Sequence, residues 1–322
     1  MRLLLLLLAL FAVIVGGGVY YGYRVYDAAG PLAADTAVVV PRGSSREVAA
    51  VLQAQGVIRS PWQFEAAALA TRGDGTIHAA ELDFPAGGSL RQVLAVLRTG
   101  KPIQHKLTVA EGLTAQVVAV AVTHDPALAG ETPPIPEGSI FPETYVFERG
   151  TPRATLLVRM TKAMDRVLDQ EWATRGPDLP LQTPRQALIL ASIVERETAK
   201  PEERPMVAAV YLNRLRRGMK LQSDPTVVYG ASNGLGTLDH GLTRAELDAD
   251  SPYNTYRNAG LPPGPICMPG AASIRAVTHP ADRTDLFFVA DGTGGHAFAR
   301  TEQEHQRNVA RWRAVERART SP

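Results

Sequence analysis

The stretch Thr183-Pro-Arg-Gln-Ala-Leu-Ile-Leu-Ala-Ser-Ile-Val-Glu-Arg-Glu-Thr198 organises the reading of this chain. Thr183 with Gln186 three residues on makes a capping box, and Pro184 sits at the first helical position, where its missing N–H is no loss. Ala187 to Val194 carries no charge, so the helix is buried nearly all round. It ends in Glu195-Arg196-Glu197-Thr198, and Pro201 stops it. Downstream, a second helix runs from about Glu202, with Val207, Val210, Tyr211 and Leu215 on its buried face. Arg214, Arg216 and Arg217 complement its C-terminal dipole and Gly218 closes it. Leu221 to Gly230 reads as loop then strand, and a Gly/Pro-rich region follows to Gly270. Leu286 to Ala290 reads as a core strand, and a basic helix begins near Thr301. Upstream, Thr151 to Arg175 is helical, His124 to Glu137 is a Pro-rich loop, and Glu137 to Phe147 turns into a short strand.

Further upstream the chain resembles itself. Val38-Val-Val-Pro-Arg-Gly-Ser-Ser-Arg-Glu-Val-Ala-Ala-Val-Leu52 matches the segment from Leu82 to Leu97, and Leu107 to Ala121 is a looser third copy. Each copy reads as strand, Gly turn, Ser/Thr cap and apolar-periodic helix. The spacing between copies is uneven, so this is no solenoid. Three ordinary βα units alike only in cap chemistry remain the alternative to a repeated module.

The first 30 residues stand apart. Leu3 to Tyr23 has no charge, and its 21 residues would span about 31 Å as a helix, enough to cross a bilayer. Arg2 precedes it, and Tyr20, Tyr21, Tyr23 and Tyr26 mark its far end, the pattern of an N-in anchor with an aromatic belt. A cleaved signal peptide is the alternative. Its apolar region is usually about 7–15 residues, and Asp27-Ala28-Ala29 leaves some room for cleavage. Asp27 to Asp35 reads as a short linker. Of 322 residues, 45% are hydrophobic and 20% charged, with 34 Lys+Arg against 32 Asp+Glu. That composition excludes a disordered chain and gives no reason to expect nucleic acid as partner. A single Cys excludes an intrachain disulfide. The seven His show no HExxH or paired spacing, so neither metal nor another cofactor is expected.

Glu195 is the first candidate for chemistry. An acid directly after an uncharged buried run risks desolvation, which raises a carboxyl pKa and makes a general acid available near neutral pH. The helix C-terminus pushes the same way. Glu197 lies about 200° round the helix from it. A solvated helix end, with both acids paired to Arg196 or Arg204, is the plain alternative. Gln222 and Asp224 are a polar pair that could face a cleft, or simply start a turn at Asp224-Pro225. Tyr253 and Asn254, in Ser251-Pro-Tyr-Asn-Thr-Tyr256, suit carbohydrate: aromatic faces stack on sugar rings and amides bond hydroxyls. Coil packing on the core explains them equally.

Ordered motifs then carry a resemblance. They are Val40-Pro-x-Gly-Ser-Ser45, Gly56-Val-Ile-Arg-Ser60, Glu137-Gly-x-x-Phe-Pro-x-Thr-Tyr145, Leu190-Ala-Ser-Ile-Val-Glu-x-Glu-Thr198, Val210-Tyr-Leu-Asn-Arg-Leu215, Leu221-Gln-Ser-Asp-Pro-Thr-Val227, Ser251 to Tyr256, Gly260-Leu-Pro-Pro-Gly-Pro-Ile266 and Gly295-His296. The chain resembles the endolytic murein transglycosylases of the MltG/YceG-like family from about Val38 to Arg313. The resemblance implies an α+β fold with a transmembrane helix in residues 1–30, a LysM-like βα subdomain in 36–104 and a YceG-like catalytic domain in 105–322. It implies lytic cleavage of the MurNAc–GlcNAc bond of nascent glycan, leaving 1,6-anhydroMurNAc and ending polymerisation; a non-catalytic peptidoglycan-binding scaffold of the wall-synthesis machinery is the alternative. Glu195 matches the family's catalytic acid. Glu143, Tyr145, Gln222, Asp224, Tyr253 and Asn254 fall in motifs expected to bind substrate. Expected partners are glycan strands, the bacterial inner membrane through one helix, with the catalytic domain extracytoplasmic, and peptidoglycan synthases. Where the family usually has Asn-Pro-Gly, this chain has Met268-Pro-Gly270, which puts any contact made by that Asn in doubt.

Overall fold

The chain is described here from a computed structural model covering residues 2–320. It divides into two units: one holds residues up to His105 together with Val146–Gly150, the other Lys106–Tyr145 and the chain from Thr151 on.

The first unit begins with α1 (Arg2–Asp27), which buries none of its residues. Among the described residues it is the one helix long and apolar enough to cross a membrane. Strand β1 (Thr36–Val39) leads to α2 (Ser45–Ala54) and α3 (Pro61–Ala70). Strand β2 (Glu81–Phe84) leads to α4 (Leu90–Thr99). The two best sequence copies thus fold as βα units, and their strands pair antiparallel with Thr36 opposite Phe84. Both helices open on complete capping boxes, Ser44 with Glu47 and Ser89 with Gln92. Each satisfies two backbone N–H groups that the first helical turn leaves orphaned. Val38, Leu52, Phe64, Leu82, Phe84 and Leu97 form the shared core.

Asp27 to Asp35 is no free linker, contrary to the expectation from sequence. Gly30 N–H donates to Gly87 O at 2.9 Å, Gly87 N–H to Leu32 O at 2.8 Å, and Ala86 N–H to the Asp35 carboxylate at 2.8 Å. A Cβ on Gly30 would stand 2.2 Å from Gly88 O, so only glycine permits this approach. Tyr26 and Leu32 pack on the core.

The third copy parts from the other two. Its strand β3 (Gln104–Thr108) pairs with β5 (Thr144–Glu148), and its helix is α5 (Ala115–His124). Between them, β4 (Leu128–Ala129) pairs parallel with β6 (Thr151–Pro152). Then α6 (Arg153–Ala173), α7 (Pro184–Glu197), α8 (Arg204–Arg216), α9 (Asp224–Ala231), the short α10 (Arg244–Leu247) and α11 (Ala271–Thr278) follow. Strands β7 (Phe287–Ala290) and β8 (His296–Ala299) form an antiparallel hairpin ahead of α12 (Glu302–Thr320). Helix α7 is packed by α6, α8, α9 and α11, and every residue from Ala187 to Val194 is buried, as the uncharged run requires. Thr183 caps it at 3.2 Å, but the Gln186 side chain reaches back to Gln182 N–H rather than to Thr183, so the box is only half made.

The strand expected after Leu221 is instead α9. Thr-Val-Val-Tyr has strand propensity, but Asp224 and Pro225 open the segment with an acid in the first turn and Pro at the start. Burial of Thr226 and Val227 decides the matter, since tertiary packing overrides weak propensities. Strand β7 is half-buried at each of its positions rather than a core strand.

Candidate active site

Helix α7 carries Glu195 on its last turn, and what surrounds that carboxylate is built by three other segments. Ser192, one turn earlier, accepts from Ile266 N–H at 3.0 Å, and its carbonyl accepts from Cys267 Sγ at 3.3 Å. These bonds lay the segment Ile266–Gly270 along the helix. The same segment pairs with the turn after β3: Gly112 N–H donates to Met268 O at 2.9 Å and Met268 N–H to Leu113 O at 2.8 Å. That turn needs φ +77 at Gly112 and presents Glu111. Helix α8 supplies Arg204 at its first position.

These segments converge on Glu195. Its Oε2 accepts from Gly270 N–H at 2.9 Å and its Oε1 from Arg204 Nη2 at 3.1 Å, with only 5% of the side chain exposed. The same Arg204 nitrogen lies 3.6 Å from Glu111 Oε2, and Glu111 is 45% exposed. One guanidinium therefore bridges a buried carboxylate and an open one. Glu111 rests so closely on Gly270 that a Cβ there would stand 1.8 Å from its Oε1. Burial pushes the Glu111 carboxyl up, the charge of Glu195 adds to this, and Arg204 opposes it. Arg204 Nε is buried and lacks a hydrogen-bond partner. Arg196 does not pair with the acids: it donates to Gly112 O and Gly236 O. Of the solvated-helix-end alternative, the pairing of Glu195 with Arg204 is present, but the solvation is not.

Glu197 points to another network. It is half-buried, accepting from Tyr211 OH and, at 2.5 Å, from Ser223 Oγ. Burial raises its carboxyl and the two hydroxyl donors oppose this. Glu203, the residue before α8, holds His296 through its backbone N–H at 2.9 Å and its Nδ1 at 2.6 Å. Burial would raise the Glu203 carboxyl, but the bonds and charge from His296, with Thr198, outweigh it and the carboxyl is lowered.

The other residues singled out in the sequence are not gathered round Glu195. Gln222 is exposed at φ +51, and its Oε1 takes a long 3.4 Å bond from Arg214. Asp224 is exposed at the start of α9, accepting from Tyr256 OH at 2.6 Å. Both flank Ser223, on the Glu197 side. Tyr253 is half-buried with its ring 4.8 Å from that of Tyr229, whose hydroxyl donates to Glu137 at 3.0 Å. Glu137 also accepts from Ala115 N–H at 2.9 Å, capping α5. Glu143 is exposed. Two expected ligand contacts are corrected. Asn254 is fully buried, its amide donating to Leu247 O and Ala249 O and its oxygen accepting from Tyr256 N–H, so it braces its own loop. Tyr145 is buried with its hydroxyl on Phe141 O at 2.8 Å, and burial with the nearby charge of Glu143 pushes it up to about 12.

Met268 is buried and its thioether accepts from Ile140 N–H at 3.3 Å. Sulfur thus fills an acceptor role that an amide oxygen could also fill. Cys267 is a buried thiol, pushed well up by burial and by the charge of Glu195, and is structural.

Glu111 was not singled out in the sequence. The three copies hold the signal: Val40-Pro-Arg42-Gly and Phe84-Pro-Ala86-Gly place a basic and a small residue where Val109-Ala-Glu111-Gly places an acid.

Residues 38–311 match the YceG-like family. An endolytic murein transglycosylase from Streptococcus pneumoniae is 38% identical over 181 residues, covering 54% of this chain and 32% of that protein. One from Bacillus subtilis is 37% identical over 174 residues, covering 53% of this chain and 46% of that protein. The chain therefore spans between a third and a half of the length of these relatives. A crystal structure of a YceG-like protein from Listeria monocytogenes is similar with a TM-score of 0.53 and 27% identity, covering 85% of this chain and 98% of that one. With the family matched along most of its length, and the motif that carries Glu195 inside the match, this chain belongs to the YceG-like family.

Proposed function

We propose that this chain is a membrane-anchored lytic transglycosylase that cleaves the MurNAc–GlcNAc bond within glycan strands, with Glu195 as its acid. The observation that carries the reading is the Glu195 carboxylate, buried at the end of α7 and held, among the described residues, by Arg204 and Gly270 N–H. The names of the relatives supply the substrate class.

In the lytic reaction Glu195 delivers a proton to the glycosidic oxygen as the C1–O bond breaks. The C6 hydroxyl of the same MurNAc then attacks C1, and its proton returns to the Glu195 carboxylate. A 1,6-anhydro ring closes and no water is consumed. Arg204 and Gly270 N–H receive the charge left on Glu195 between the two steps. Residues on the Ser223 and Tyr253 segments hold the flanking sugars, with the exposed Glu143, just before β5, as a further contact. The helix α1 crosses the inner membrane with its N-terminus in the cytoplasm, which places the reaction where new glycan emerges and suits a role in ending polymerisation beside peptidoglycan synthases.

One observation favours a second reading, hydrolysis. Glu111 and Glu195 share one Arg204 nitrogen, so their nearest oxygens lie no more than about 7 Å apart, a bound that admits the roughly 5–5.5 Å of retaining glycosidases and the lower end of the roughly 6.5–9.5 Å of inverting ones. Glu111 could then direct water to C1. Mass spectrometry of muropeptides released from peptidoglycan by the detergent-solubilised chain decides between them. Anhydro ends support the lytic reading, and reducing MurNAc ends, heavier by one water, support hydrolysis. Absence of both products sinks the enzymatic reading.

A further inference from the structure

Helix α3, Pro61-Trp-Gln-Phe-Glu-Ala-Ala-Ala-Leu-Ala70, is apolar on both sides. Phe64 and Ala68 face the core of the first unit. Trp62, Ala66, Leu69 and Ala70 recur at the spacing of one helix face and point outward, with Trp62 64% and Leu69 66% exposed. A helix apolar all round is normally covered on every side. Here one side faces a groove of about 490 Å³ whose other wall is the end of α1, from Gly18 to Tyr26.

The position of that groove along α1 identifies what fills it. The apolar run ends at Tyr23 and is about as long as the bilayer core is thick, so Tyr21, Tyr23 and Tyr26 fall at the headgroup boundary if α1 spans. Gly18 lies about 12 Å nearer the bilayer centre than Tyr26. The facing stripe of α3 is therefore at the depth where interfacial helices bury an apolar face, roughly 5–10 Å into the headgroup–acyl boundary. The attachment is fixed rather than hinged. Arg91 on α4 pairs with Asp27 at 2.7 Å, its guanidinium stands 5.3 Å from the Tyr26 ring and 5.9 Å from the Tyr23 ring, and the Gly30–Gly87 and Asp35–Ala86 bonds hold the following residues.

We propose that the first unit is seated in the leaflet that α1 leaves, with the outer stripe of α3 in contact with lipid and Trp62 at the headgroup boundary. The proposal rests on α1 being a membrane anchor. Lipid continues the surface that α1 already contacts, whereas a protein occupant would have to displace it.

The full chain in liposomes containing lipids brominated near the carbonyl end of the acyl chains provides the test. Quenching of tryptophan emission is compared between the parent and Trp62→Phe, which keep Trp172 and Trp312 in common. The expected result is quenching in the parent and its loss in Trp62→Phe. Equal quenching in both overturns the proposal, as does disulfide cross-linking of Leu69→Cys to a second copy in the absence of lipid quenching. Extraction of the same liposomes with alkaline carbonate separates the two failures. A chain that stays in the membrane unquenched contradicts only the seating of α3, and a chain that is washed off contradicts the anchor as well.

Discussion

Glu195, Glu111, Arg204 and Gly270 make one constellation in which each residue limits the others. Gly270 gives its N–H to Glu195 and leaves room for Glu111; its own backbone, at φ −77, would accept alanine. Gly270→Ala should keep the fold and the bond to Glu195 while forcing the Glu111 carboxyl aside. If Glu111 takes part in the reaction, Gly270→Ala and Glu111→Gln should lower the rate of muropeptide release alike, and the double variant should be no slower than either single one. Glu111→Gln should also shift the acidic limb of the pH–rate profile, because the Glu111 carboxyl is raised. Rates equal to the parent in both variants would remove Glu111 from the chemistry. Glu197 gives a separate test. Its folded pKa is raised above 4.5, so the stability it contributes is present below that value and declines as pH rises through the folded pKa. Glu197→Gln, which cannot ionise, should flatten that decline in thermal unfolding measured above pH 4.5.

Secondary elements were legible where short-range chemistry and burial agree. The Ser caps of the first unit, the buried run of α7 and the extent of α6 follow from residues a few positions apart. Ser89→Ala should lower the stability of the full chain by about 1 kcal/mol, since one N-cap bond to Gln92 is lost and the box is broken. Chemical denaturation would read that change, and no change would mean that α4 is held by packing alone. Elements were misread where long-range contacts decide. Thr226-Val-Val-Tyr229 favours a strand locally and becomes helix under tertiary packing. Asp27 to Asp35 has linker composition and is fixed by residues 86 to 91. The place of Glu195 at the end of a buried helix was legible because that helix is continuous in sequence. Glu111 and Gly270 reach it from 84 and 75 positions away through pairing at Met268, which no local pattern announces.

The molecule joins a long apolar helix and a small α+β unit to a larger unit that carries Glu195. Its curated relatives are longer, and the match covers about half of this chain. The apolar helix was readable from composition and the α+β class came with the family resemblance, whereas the return of Val146–Gly150 to the first unit was not readable, because strand pairing between distant segments sets it. Everything proposed about activity depends on the carboxylate at the end of α7. The full chain and Glu195→Gln should therefore be compared on the same peptidoglycan, with released anhydro-muropeptides counted by mass spectrometry and folding checked by thermal unfolding. The parent should release them, and the variant should fold yet release them about 10²–10⁴-fold more slowly, as loss of a general acid requires. Release at the parent's rate by folded Glu195→Gln would contradict the assignment of the acid.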